Sequence, residues 1–433
     1  ISMSKEENRK NFSKYVSQNI LGMIGFSCYV LADSYFISIA KGADGLTALN
    51  LVMPLYSIIF SIGEMIGVGS AIRYAISKIK KDADADDYFW NALIWCILSS
   101  MLFVFAGIFF SADIMRVLGA DEHIVAVGNN YTKIFMCFAP MFMCNYVTNA
   151  FVRNDGAPGI AMSATLFSSL FNIVFDYILM FPMNLGMEGA ALATALSPII
   201  GMGICSIHFF SKKSSVRLVV CKPSVRKLVA GCQLGVSAFV GEMSSAVITL
   251  AFNFVILKLA GNVGVAAYGV VANIAIVTTA VFNGVAQGSQ PLISSCFGRG
   301  DKDGCTQLKR MGYTTAFVLA AVMYSILFIF AGQFVAVFNS EGSEMLRLYA
   351  TEGVKLYFIG IFFAGINIVG GGAFSATEDA FKAAVVSVAR GFVLILGAVF
   401  VMSALFGMTG VWLAYAVAEG ITTFIMLVMV LRV

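Results

Sequence analysis

Charge is what this sequence has least of. Asp, Glu, Lys and Arg make up 12% of its 433 residues, where a soluble globular chain carries about 25%. A soluble fold of this length needs a polar surface that such a composition does not supply. Disorder and nucleic-acid binding need still more charge, so both are excluded. Histidine is nearly missing, and His123 and His208 lie too far apart in sequence for a His-rich metal site. The nine cysteines include no C-x-x-C pair, and most sit inside apolar runs. They read as small, polarizable packing residues. No H-E-x-x-H helix and no G-x-x-x-x-G-K-[ST] loop occurs, which argues against a zinc hydrolase and against ATP-driven transport by this chain. Lys5, Glu6, Glu7, Arg9 and Lys10 precede the first apolar run, so no cleavable signal sequence is expected, and the opening Ile1-Ser2 reads as a foreign remnant before Met3.

What the chain does have is hydrocarbon: 59% of residues are hydrophobic, with 38 Phe and 22 Met. A bilayer core of about 30 Å needs roughly 20 apolar helical residues. Runs of that kind fall at 18–40, 46–72, 89–110, 124–151, 160–182, 188–210, 232–257, 263–295, 311–338, 346–376, 381–405 and 409–432. The expected fold is therefore an all-α polytopic membrane protein with twelve transmembrane helices. Basic residues set the orientation. With the N-terminus inside, twenty of the 28 Lys and Arg, from Lys5 through Arg153 to Arg432, fall in inner segments, and only Lys41, Arg116, Lys258 and Arg347 in outer ones. Both termini are expected to be cytoplasmic.

The halves repeat. Gly42-x-x-Gly45-x-x-Ala48 recurs as Gly261-x-x-Gly264-x-x-Ala267, a shift of 219, and Gly69-Ser70 recurs as Gly288-Ser289 at the same shift. Gly186-Met187-x-Gly189 recurs as Gly407-Met408-x-Gly410, a shift of 221. Six spans per half make the repeat parallel about an axis along the membrane normal, with a substrate path between two pseudo-symmetric lobes. The expected boundaries are an N-lobe over 1–211, a cytoplasmic linker over 212–227 and a C-lobe over 228–433.

An ionisable group in hydrocarbon is a functional candidate by default. Arg73, Lys133, Lys355 and Arg390 are long enough to reach an interface; Glu64, Glu352 and Glu419 have no partner that the sequence names. Asp33 and Asp176 stand out because their depths agree. Counted from the span ends, Asp33, Asp176 and Thr194 all lie roughly 10 Å below the outer edge of the hydrocarbon. Tyr29 and Asn172 follow one turn deeper on the faces of the two aspartates. Such a group binds a monovalent cation through oxygens, or shares a proton between like charges. Glu242, near the middle of the seventh span, is a candidate for a second coupling or substrate site in the C-terminal half.

The segment Asn149-Ala150-Phe151-Val152-Arg153-Asn154-Asp155-Gly156-Ala157-Pro158, followed by Asn172-x-x-x-Asp176 and Gly186-Met187-Glu188-Gly189-Ala190-Ala191-Leu192-Ala193-Thr194, resembles the multidrug and toxic compound extrusion (MATE) family, in its MepA/DinF-like branch. The resemblance spans all twelve segments. It implies a V-shaped pair of six-helix lobes that exports organic, often cationic, compounds in exchange for H⁺ or Na⁺. It also implies that Asp33, Tyr29, Asn172, Asp176 and Thr194 form the N-lobe cation site, with Na⁺ at Asp33, Asn172, Asp176 and Thr194 where sodium is the coupling ion. Glu242 matches the seventh-helix glutamate of the NorM-like branch, but Ala364 stands where that branch has its partner aspartate. Ser17-Gln18-Asn19 stands where some relatives have a proline, which puts proline-driven bending of the first helix in doubt.

The expected activity is secondary active multidrug efflux from a prokaryotic plasma membrane, by a monomer whose partners are small organic compounds and lipid. No enzyme activity, no nucleic-acid partner and no cofactor beyond the coupling ion are expected. The alternative is a lipid or lipid-linked oligosaccharide flippase of the same superfamily, which calls for clustered cations facing the cavity.

Overall fold

The computed structural model describes residues 4–339 and 342–431. Ile1, Ser2, Met3 and Arg432 lie outside them. Helices occupy almost all of this length, and no strand occurs among the described residues. Among the described residues nine helices are long and apolar enough to cross a membrane, and the pair Glu122–Cys137 and Ala139–Asn154, bent by 46°, makes a tenth. The bend falls next to Pro140, which donates no backbone hydrogen bond. Two of the ten, Val225–Gly298 and Ala380–Leu431, each contain a break. Dividing them gives the twelve expected spans.

In chain order these are α1 (Lys5–Gly42), α2 (Thr47–Ile79), α3 (Asp87–Val117), the bent α4 (Glu122–Cys137 with Ala139–Asn154), α5 (Pro158–Met180) and α6 (Met187–Phe209). The second half holds α7 (225–260), α8 (262–298), α9 (Lys302–Ile329, continued by Ala331–Phe338), α10 (Glu344–Ala376), α11 (380–406) and α12 (408–431). α1 starts well before its apolar run. The Ser4 side chain caps its first turn by accepting from the Glu7 N–H at 3.1 Å, and Glu6 and Glu7 suit the positive end of the helix.

The repeat read from the sequence is present in the backbone. Gly42 (φ 60°, ψ −144°) and Gly261 (φ 67°, ψ −156°) turn the chain between the first two helices of each half. Gly186 (φ 56°) and Gly407 (φ 63°) do the same before the sixth. These are conformations that a Cβ disfavours, which is why glycine survives at each copy.

Two large hydrophobic clusters form the cores. One draws on α2–α6 and includes Leu234 of α7; the other draws on α7–α12 and includes Phe12 and Val16 of α1. Each half thus inserts the start of its first helix into the other's core. Close packing of backbones makes this exchange fit. A Cβ on Gly69 would fall 1.8 Å from the Gly231 carbonyl oxygen, and one on its repeat partner Gly288 would fall 2.8 Å from Val16 Cα. Polar bonds reinforce the same end: Lys227 Nζ to Asp84 (2.6 Å), Asn8 Nδ2 to Gln307 (3.1 Å) and Arg73 to Glu378 (3.0 Å). At the far end the polar pairs stay within a half, as in His123–Asp44 (2.8 Å) and Thr409–Glu352 (2.8 Å). The halves are therefore tied together at the end that carries the segment joining them. That segment is laid along α3: the indoles of Trp90 and Trp95 donate to the carbonyls of Cys221 (2.8 Å) and Ser224 (3.2 Å).

Not every basic residue behaves as its position suggested. Arg73 does not snorkel: its Nε donates to the Ala230 carbonyl at 2.9 Å while Nη1 pairs with Glu378. Arg390 is buried in an ion pair with Glu419 (2.8 Å), which also accepts from Asn367 Nδ2 (2.7 Å). Arg153 is 4% exposed and turned into the protein, not into a basic loop. Partners on other elements hold Arg73 and Arg390, whereas Arg153 donates to Asn149 Oδ1 of its own helix at 3.2 Å.

Candidate functional site

α5 and α6 place three of the predicted residues side by side. Asn172 and Asp176 stand one turn apart on α5, both fully buried, and the Asn172 Nδ2 donates to Thr194 Oγ1 and to Ser197 Oγ of α6, each at 3.4 Å. Ser197 in turn donates to the Thr194 carbonyl at 2.9 Å. Asp33 of α1, 8% exposed, completes the group, near enough to Asp176 for the two carboxyls to act on each other electrostatically. The agreement of depth seen along the sequence is thus a spatial cluster. Ser197 was missed; it lies three residues past Thr194, on the same face of α6.

The cluster is rich in acceptors and poor in donors. Asp33 Oδ1, both carboxyl oxygens of Asp176 and Asn172 Oδ1 are buried without a hydrogen-bond partner. Buried acceptors of this kind are costly unless something fills them. A proton shared between the carboxyls or a small hard cation among the oxygens suits this donor set, while soft metals do not. Among the described residues no group of three or more His, Cys, Asp or Glu has the makings of a metal site.

Tyr29 stands one turn along α1 from Asp33 and faces an open-sided cavity lined from both halves. Aromatic rings wall it: Phe26 meets Tyr29 edge to face at 5.0 Å, and Phe60 packs on Phe142 (5.4 Å) and Tyr146 (5.7 Å). Its polar lining includes Glu64, Asn145, Asn149, Arg153, Glu242 and Gln287. The Gln287 amide of α8 donates to Glu64 of α2 at 2.8 Å, across the two halves.

Glu242 falls elsewhere than expected. It belongs to α7 yet lines this cavity opposite Glu64, so it makes no separate site inside the second half. There the repeat has diverged. At the shift of 219 the counterpart of Asp33 is Phe252, stacked on Tyr268 at 5.0 Å; at 221 the counterpart of Thr194 is Tyr415, stacked on Tyr357 at 4.4 Å. Ala364 is buried in that apolar core. One half holds the unpaired carboxyls and the other a filled aromatic interior.

Comparison with known proteins follows the same division. A sequence model of the MatE family matches residues 19–178 and again residues 238–401, one match in each half. The chain is similar to the multidrug export protein MepA of Staphylococcus aureus strain MRSA252, 27% identical over 414 residues that cover 93% of this chain and 89% of that one. It is similar to MepA of Staphylococcus saprophyticus, 26% identical over 409 residues with the same coverage of both chains. Among solved structures it shares the fold of a multidrug resistance MATE family transporter in an outward-facing conformation. That match has a TM-score of 0.91 at 20% identity, over 98% of this chain and 96% of the other.

Proposed function

This chain belongs to the MatE family, and from that premise we propose that it is a secondary active exporter of organic, often cationic, compounds driven by exchange for H⁺ or Na⁺. The observation that carries the reading is the set of unpartnered oxygens on Asp33, Asp176 and Asn172, set beside an aromatic-walled cavity. Two neighbouring carboxylates repel, and a proton or Na⁺ between them relieves that repulsion. With Na⁺ as the exchanged ion, Asp33, Asn172, Asp176 and Thr194 would supply the oxygens. The relatives named for multidrug export support the class of cargo.

The protein sits in a prokaryotic plasma membrane as a monomer with both termini inside. In that orientation the joined end of the halves is cytoplasmic, and the cavity is reached from outside. Transport rocks one half against the other about the segment 212–227, and cation binding at Asp33–Asp176 biases the two states by binding them unequally. Flipping of a polyanionic lipid headgroup is the poorer reading, because Arg153 is the one basic side chain on the cavity wall among the described residues.

The test is purified protein in liposomes with imposed H⁺ or Na⁺ gradients and a fluorescent aromatic cation as cargo. One of the gradients drives accumulation against the cargo's own gradient in the wild type, and Asp33→Asn abolishes it while leaving the protein monodisperse. Uphill transport at the wild-type rate by Asp33→Asn overturns the assignment.

A further inference from the structure

The segment that joins the halves carries six basic residues, Lys212, Lys213, Arg217, Lys222, Arg226 and Lys227, and no Asp or Glu occurs anywhere between Glu188 and Glu242. Lys227 is neutralised by Asp84 at 2.6 Å. The other five are exposed, and among the described residues none of them is in an ion pair. Apolar side chains that the protein leaves uncovered lie between these charges. Leu218 is 59% exposed and Val220 71%, and Phe210, just before the segment, is 91% exposed. Val219 is more enclosed than its two neighbours, and Cys221 turns inward to accept from Asn91 Nδ2 at 3.4 Å. The outward side of 218–222 is therefore apolar with a lysine at its end, a composition that water does not favour.

The level of this segment follows from α3. At 31 residues that helix is roughly 46 Å long, against a hydrocarbon core of about 30 Å. Its first turns therefore stand in the headgroup layer. Trp90 and Trp95 lie there, and their indoles hold the segment through the carbonyls of Cys221 and Ser224. Tryptophan favours that depth, with its ring apolar and its N–H polar. The side chains of 212–226 are thus presented to lipid headgroups rather than to open water.

We propose that residues 212–226 are a strap for anionic phospholipid, in which Lys212, Lys213, Arg217, Lys222 and Arg226 hold phosphate headgroups of the inner leaflet while Leu218 and Val220 enter the boundary with the acyl chains. A basic cluster directly beside a span is attracted to anionic lipid, and interleaved apolar groups add their burial to that attraction. The strap rests on the orientation with both termini inside and is independent of the cargo.

The tryptophans beside the strap report on it. The full chain is placed in lipid nanodiscs of phosphatidylcholine that contain either phosphatidylglycerol or phosphatidylcholine brominated close to the ester, and tryptophan quenching is measured. Trp412 is buried in the core of the second half and contributes little to the change. Brominated phosphatidylglycerol quenches at about fivefold lower mole fraction than brominated phosphatidylcholine, the factor that one basic side chain at an anionic surface contributes. Salt at about 0.5 M, where the screening length is roughly 4 Å, reduces the difference. Lys212→Gln/Lys213→Gln/Arg217→Gln/Lys222→Gln/Arg226→Gln abolishes it, whereas Lys5→Gln/Arg9→Gln/Lys10→Gln/Lys14→Gln at the start of α1 keeps it. Equal quenching by the two lipids in the wild type overturns the proposal, as does a preference that survives the five substitutions in the strap or is lost with those in α1. If the strap variant does not fold, the wild-type comparison with and without salt decides.

Discussion

Glu378 offers a measurable test of how the two halves are tied. It ends α10 in the left-handed region (φ 59°), and its amide donates to the Ser375 carbonyl at 3.1 Å, with the next amide reaching Phe374 at 2.9 Å. The first half closes α4 with the same bonds, from the Gly156 amide to Arg153 (3.4 Å) and from the Ala157 amide to Val152 (3.2 Å). Glycine (φ 87°) occupies the position there. For an L-residue other than glycine this conformation costs roughly 1–2 kcal/mol. What the second half has in exchange is a carboxylate facing Arg73 (3.0 Å) and Lys80 (3.8 Å) of α2 and the turn that follows it. With side chains 20–46% exposed, these pairs together contribute about 1 kcal/mol at most.

The two terms nearly cancel, and that sets the outcome. Glu378→Gly removes strain and ion pair together, so stability changes by less than about 1 kcal/mol. Glu378→Ala keeps the strain and loses the pair, so it is destabilised by about 1 kcal/mol, and the gap between the two variants measures the strain. Arg73→Gln in the Glu378→Gly background costs less than in the wild type, by the coupling energy of the pair. Thermal unfolding in detergent is followed with a thiol-reactive fluorophore, since Cys96, Cys144, Cys205, Cys296 and Cys305 are buried and become reactive on unfolding. If Glu378→Gly is as unstable as Glu378→Ala, the strain argument is wrong. If the Arg73 and Glu378 effects simply add, the ion pair across the halves is wrong.

Asp33→Asn/Asp176→Asn is expected to transport little worse than either single variant, because the two carboxyls form one network; additive losses in uphill transport count against a shared site. Asp155 accepts from His208 (2.7 Å) and from the Ser215 amide (2.8 Å) in a buried setting, so Asp155→Ala should lower stability by roughly 2–4 kcal/mol in the same thermal assay. Removing one member of the Arg390–Glu419 pair should be worse than replacing both with apolar residues of similar size, and the four thermal midpoints of that cycle check it. The hydrogen bond from Lys227 holds the Asp84 carboxyl below its ordinary range. A depressed carboxyl contributes stability above its unfolded value and loses it as pH falls through the folded one. The advantage of wild type over Asp84→Asn should therefore be present at pH 7 and vanish in acid, and a pH-independent difference would refute the pairing.

Much of this protein is legible in one dimension, because lipid imposes its rules residue by residue. A span must be apolar for its full length and must satisfy its own backbone, so twelve spans and their turns follow from hydropathy and from glycines repeated at a fixed shift. Asp33, Asp176, Asn172 and Thr194 were legible for the same reason, since depth is counted along a helix and rarity marks the candidates. Which way a side chain faces around its helix is another matter. Glu242 belongs by sequence to the second half, but the exchange that carries the start of α7 into the first half's core turns it onto the cavity opposite Glu64. Arg153 counted as one more basic residue at a span end until the packing of α4 against α2 put it in the cavity wall. Arg390 and Glu419 lie 29 residues apart on different helices, and only their packing pairs them. The sequence by itself determined the spans, the repeat and the level of the carboxyl group, because burial in lipid acts on each helix alone. Tertiary structure alone decided the partners of the buried charges and which residues line the cavity, because those depend on how each helix is rotated against its neighbours, which hydropathy does not encode.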